Sequence, residues 1–159
     1  KYFNVYGPQE YHKGRMASMV FHAFNQYNAE KEVKLFKSHK DGYKDGYQLR
    51  DFVYIKDVTN VMYFLMKESG APNGIYNLGT GGARAFYELA KFTVEAADGD
   101  ISKIKFVDMP EDLRGKYQYF TEAKMDKLKK AAYSKDFTSL EDGVKDYVQN
   151  YLMKEDKYL

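Results

Sequence analysis

Five side chains able to hold a charge or exchange a proton crowd into residues 12–22: His12, Lys13, Arg15, Ser18 and His22. A lysine or histidine there can trade a proton with a substrate hydroxyl. An arginine can grip a phosphate through its fork of donors. The surrounding stretch, YFNVYGPQEYHKGRMASMVFH, runs from Tyr2 to His22. Tyr2, Phe3, Val5 and Tyr6 suit a buried strand, which Gly7-Pro8 stops. A polar loop follows. Met16, Met19, Val20, Ala23, Phe24 and Tyr27 then recur at helical spacing and define one apolar face. At about 100° per residue, Arg15, Ser18 and His22 share a different face. In open α/β sheets ligands bind beyond the carboxyl ends of strands, and a helix N-terminus favours anions. The same residues also describe a solvated basic loop followed by a polar helix face.

The whole chain of 159 residues is long enough for one domain burying about 70% of its unfolded surface. Its 25 basic and 23 acidic residues leave a net charge of +2, too even for a nucleic-acid or anionic-membrane partner. The arginines are Arg15, Arg50, Arg84 and Arg114. The absence of cysteine excludes disulfides, thiolate metal ligands and a cysteine nucleophile, and no metal site is expected. No apolar run approaches the ~20 residues of a membrane span. Sixteen tyrosines and eleven phenylalanines predict an aromatic core or cleft wall.

Further along, Val33 to Phe36 reads as a short strand and Lys37 to Leu49 as a polar loop. Phe52 to Ile55 is a strand, and Asp57 is the expected N-cap of a helix carrying Val58, Val61, Met62 and Leu65 that ends at Gly70 and Pro72. Gly74 to Leu78 reads as another strand. It runs into Gly79-Thr80-Gly81-Gly82, a tight structural turn in preference to an incomplete phosphate loop. A helix bearing Phe86, Leu89, Ala90, Thr93 and Ala97 follows, then a strand at Ile104 to Val107 and an irregular segment from Met109 to Phe120. Thr121 opens a helix through Met125 and Leu128. Thr138 to Glu141 reads as a capping box for a last helix with Leu140, Val144, Tyr147, Val148, Tyr151 and Leu152 inward. Strands alternating with helices give an α/β class, with too few strands for an independent doubly wound sheet.

The opening stretch, together with QLRDFVYIKDV, GIYNLGTGGARAF and LRGKYQYFT, resembles the extended short-chain dehydrogenase/reductases, the NAD-dependent epimerase/dehydratase family. Within it, the HKGRMAS run with its following histidine is similar to the ADP-glyceromanno-heptose 6-epimerases. The resemblance spans residues 1 to about 152 and corresponds to the C-terminal half of that family: late strands of a Rossmann sheet plus a mixed α/β substrate-binding lobe. The family's glycine-rich NADP fingerprint and its Tyr-x-x-x-Lys pair belong to the half preceding this stretch.

The resemblance implies a cytoplasmic, NADP-dependent isomerase acting at carbon 6 of an ADP-heptose during lipopolysaccharide biosynthesis, homo-oligomeric at full length. It implies that this chain alone is inactive. It assigns Lys13 as an acid/base group and, with Val5, as a neighbour of the nicotinamide. A lysine in that role needs a lowered pKa, for which His12 and Arg15 offer positive charge. Substrate contacts fall on Asn4, Arg15, His22, Phe36, Lys37, Ser38, His39, Arg50 and Tyr117. In some relatives a serine binds substrate at the position of Arg15. Arg50 is expected at the nucleotide end; read alone, it pairs with Asp51 or Asp57. Arg84 and Arg114 read as surface charges. Two other readings stand beside this one: another sugar-nucleotide epimerase or dehydratase, and a nucleotide-sugar-binding module without chemistry.

Overall fold

Asn4–Tyr6 (β1) lies parallel to Phe52–Tyr54 (β4), with Asn4 opposite Phe52 and Tyr6 opposite Tyr54, in a computed structural model that describes residues 1–67 and 72–158. β4 is buried on both faces. Phe52 and Tyr54 point into one apolar cluster and Val53 into another, as alternation along a strand requires. Tyr2 adds a single parallel bridge to Leu78, so the expected strand from Gly74 reduces to that one contact.

Ser18 caps helix α1 (Met19–Glu30), its Oγ accepting from the Phe21 amide. Val20 and Phe24 face the first cluster and Ala23 a third. The helix begins later than its apolar spacing suggests. Residues Tyr11–Met16 form short 3-10 turns broken at Gly14, whose φ of 52° is costly for other residues. Met16 is therefore 85% exposed and outside the apolar face, and Arg15 precedes the helix.

Val33–Phe36 (β2) pairs in parallel with Ile104–Val107 (β6). Leu49–Arg50 (β3) sits between antiparallel Arg84–Ala85 (β5) and parallel Phe120–Thr121 (β7). Thr121 thus belongs to a strand, and the helix expected from it is confined to Asp126–Lys130, below. Phe86–Ala96 (α3) packs against α1 and places Leu89 in the first cluster and Ala90 and Val94 in the third. Ile55–Lys67 (α2) follows β4 directly. Asp57 lies inside its first turn instead of capping it; the carboxylate accepts from the Thr138 amide and hydroxyl, each at 2.9 Å. Gly70, the expected end of α2, lies outside the described residues.

Short helices at Glu111–Arg114 (α4) and Asp126–Lys130 (α5) precede Leu140–Tyr147 (α6), which continues as a π-turn through Leu152. The α6 cap falls one residue later than read: Ser139 Oγ accepts from the Asp142 amide at 3.0 Å. That frees Glu141, which joins Glu88 in holding Arg84. Arg84 is consequently a half-buried clamp between α3 and α6, not a surface charge, while Arg114 donates to the Met109 carbonyl.

Bonds from Arg84 hold the Glu88 and Glu141 carboxyls below their ordinary range. At Asp146, burial pushes the carboxyl up, but bonds from Lys56, Tyr54 and Asn150 outweigh it and the net shift is down. Carboxyls depressed in the folded state stabilise it above their unfolded pKa of about 4.3 for Glu and 3.9 for Asp. That stability disappears as pH falls through the folded values, because the unfolded chain binds more protons. Urea midpoints should hold from pH 7 to about 5 and decline below about 4.5. Arg84→Leu should flatten the acid limb; an unchanged limb counts against this clamp.

Candidate functional site

Beyond the carboxyl end of β1 a cleft of about 480 Å³ opens. It is lined by Asn4 and Val5 of β1, by Lys13, by the α1 cap Ser18 with Met19 and His22 of the helix, and by Phe52 and Phe86. A second cavity, about 170 Å³, adjoins it. Met19 and Phe86 border both, and Leu35, Phe36, Gln48 and Tyr117 line the far side. The two cavities lie side by side across these shared walls and together make up the groove, with Lys13 in the larger and Tyr117 in the smaller.

A buried carboxylate anchors the Lys13 loop. Glu10 accepts from the Ser18 amide and the Ser18 hydroxyl, both at 2.6 Å, so the cap of α1 is itself held from behind. The Lys13 amide donates to the Glu10 carbonyl, and the Ala17 amide to the Gly14 carbonyl. Lys13 is exposed, and its ammonium makes no hydrogen bond or ion pair among the described residues. The charges of His12 and Arg15 do not line the cleft with it.

Arg50 is 8% exposed and pairs with neither Asp51 nor Asp57. It donates to the carbonyls of Leu49 and Gln118, and its guanidinium stands 5.6 Å from the Phe86 ring centre and 5.4 Å from that of Tyr117. Burial depresses its pKa and pushes the Tyr117 hydroxyl up. Arg50 therefore backs the two rings that line the groove. Phe36 meets Tyr117 edge to face at 6.2 Å.

Lys37, Ser38 and His39 lead away from the groove. Lys37 faces Asp108 at 3.4 Å, the Ser38 amide donates to Asp45, and the His39 amide donates to the Tyr119 hydroxyl. Ser38 and His39 edge a separate shallow depression with residues 40–45. The groove thus brings together Asn4, Val5, Lys13, His22, Phe36 and Tyr117. It leaves out Arg15, Lys37, Ser38 and His39 and keeps Arg50 one layer behind.

The glycine turn binds an anion, but one belonging to the chain. Asp51, fully buried, accepts from the Thr80 amide and hydroxyl through one oxygen and from the Gly81 and Ala123 amides through the other, at 2.7–3.0 Å. A Cβ on Gly79 would stand 2.5 Å from that carboxylate. Glu10, Gln48, Asp51 and Phe86 carry no local signal that marks them for the site. Each acts through a partner eight or more residues away, or from an element too short to show a period.

Residues 1–79 match the model of the NAD dependent epimerase/dehydratase family. ADP-L-glycero-D-manno-heptose-6-epimerase of Fusobacterium nucleatum is 61% identical over all of this chain and 49% of its own length. That of Nitratidesulfovibrio vulgaris is 49% identical, again over the whole chain and 49% of its own length. The chain spans about half the length of the curated relatives it matches. A crystal structure of Helicobacter pylori ADP-L-glycero-D-manno-heptose-6-epimerase is similar with a TM-score of 0.71 at 34% identity, covering 94% of this chain and 42% of that one. The parallel α/β pairing and these likenesses place the chain in the Rossmann-type fold, and over residues 1–79 it is similar to the NAD dependent epimerase/dehydratase family.

Proposed function

We propose that residues 1–159 form the substrate-binding half of an ADP-glyceromanno-heptose 6-epimerase. The observation that carries this reading is the pair of adjoining cavities holding Lys13 and Tyr117, in a chain 61% identical to an enzyme of that name. An ADP-sugar is a long, two-ended ligand. The cavity holding Lys13 suits a heptose and the one holding Tyr117 a base.

Val5 presents a half-buried apolar surface beside Asn4 and Lys13, which fits the flat face of a nicotinamide. When bound, NADP would supply removal and return of hydride at carbon 6 of the heptose. Lys13 Nζ exchanges the proton of the carbon 6 hydroxyl for one epimer, and the tyrosine of the family's Tyr-x-x-x-Lys pair serves the other. Asn4 and His22 hold the sugar hydroxyls. Arg50 places its positive charge behind the diphosphate and braces Phe86 and Tyr117. Arg15, Lys37, Ser38 and His39 reach substrate only if their loops close over it. The setting is cytoplasmic synthesis of lipopolysaccharide heptose.

The full-length polypeptide containing this stretch, given NADP and ADP-D-glycero-D-manno-heptose, should form the L-glycero epimer, followed by proton NMR. The 159-residue chain alone should not. Turnover of UDP-hexoses in its place would favour another sugar-nucleotide epimerase. Binding without turnover by the full-length protein would favour a non-catalytic module.

A further inference from the structure

We infer that Gln48 is the residue that reads the nucleobase, accepting a hydrogen bond from the exocyclic amino group of a 6-aminopurine in the small cavity. The inference rests on the nucleotide-sugar reading above and assigns a determinant within it.

Gln48 is 1% exposed, yet its side chain borders the cavity between Phe36 and Tyr117. Its Nε2 is committed: the Phe36 and Lys37 carbonyls each accept from it at 3.3 Å. Those two carbonyls also fix which way round the amide lies, since the oxygen cannot face them. Oε1 accepts from none of the described residues and is not among the sealed, unpartnered oxygens of the core. The space that Gln48 lines is the small cavity. A buried acceptor without a donor is costly, so the cavity selects a ligand that brings an N–H to it.

The rest of the cavity suits a flat heterocycle. Phe36 and Tyr117 lie nearly perpendicular, at 86°, so a ring stacked on one meets the edge of the other. The volume of about 170 Å³ accommodates one purine. Glutamine commonly reads adenine with both amide atoms. Here the nitrogen is spent on the backbone, leaving the acceptor to discriminate amino-bearing bases from those that present a carbonyl oxygen.

The test measures binding of ADP, IDP and the purine nucleoside diphosphate lacking any 6-substituent to the full-length protein by calorimetry, then repeats it with Gln48→Leu. The parent should bind ADP about tenfold more tightly than either analogue, the worth of one buried hydrogen bond. Gln48→Leu should bring all three within threefold by weakening ADP. Equal affinities in the parent, a comparison that needs no variant, overturn the inference and leave the nucleotide-sugar reading intact. So does a tenfold preference that survives in Gln48→Leu. Failure of all three nucleotides to bind overturns both.

Discussion

Lys13→Ala in the full-length protein should lower turnover by about 10²–10⁴-fold while ADP binds within twofold of the parent. The size follows from the work assigned to the ammonium: moving the proton of the carbon 6 hydroxyl for one epimer. The sparing of nucleotide affinity follows from position. Lys13 lines the cavity proposed for the sugar, and its side chain has no partner among the described residues whose loss would disturb the fold. Its loop is held by Glu10 and Ser18 through atoms the substitution leaves in place. Circular dichroism and the urea midpoint should not move. A variant that keeps a third or more of parent turnover removes Lys13 from the chemistry. One that loses ADP binding as well makes it a binding residue.

The largest effect on stability is expected at Asp51. Its carboxylate is the common acceptor for three backbone amides and one hydroxyl, drawn from the Thr80-Gly81 turn and from Ala123. Asp51→Ala removes the acceptor from three backbone amides, of which Ala123's is buried and those of Thr80 and Gly81 are partly open to solvent, while the Thr80 hydroxyl can turn to the Gly82 carbonyl at 3.3 Å. Each unsatisfied group costs about 1–3 kcal/mol, and partial entry of water offsets some of it, so the loss should be on the order of 4 kcal/mol. Asp51→Asn keeps one accepting oxygen but turns an amide N–H₂ toward amides that also donate. It should cost roughly half as much. Urea unfolding of the full-length protein measures both. A loss below about 1 kcal/mol for the alanine variant would mean that solvent reaches all three amides.

That carboxylate also marks where the sequence stopped being informative. The glycine turn read correctly as structural, but what it encloses arrives from Asp51, far earlier in the chain, and no local spacing announces such a partner. The same limit explains the second partner of Arg84, Glu141 of α6, though Glu88 stands only four residues on, and Thr121, whose two-residue strand is too short to show alternation. The legible parts were the repetitive ones. Apolar and aromatic runs gave β1, β2, β4 and β6, and helical spacing gave α1, α2, α3 and α6. Caps drifted by a residue because Thr138 and Ser139 both qualify, and only Asp57, taking Thr138 for itself, decides between them. At the site, the residues on regular elements, Asn4, Val5, His22 and Phe36, fall in the groove. Outside regular elements the outcome divides: Lys13 and Tyr117 fall in the groove, whereas Arg15, Lys37, Ser38 and His39 do not, because conformation there is set by tertiary contacts.

Met19 and Phe86 are walls of both cavities, the one proposed for the sugar and the one proposed for the base. A larger or smaller side chain at either position moves both boundaries together. Preference for a new sugar and preference for a new base therefore cannot be altered independently through these two residues. A lineage that changed one would carry a correlated change in the other, to be corrected at the outlying positions.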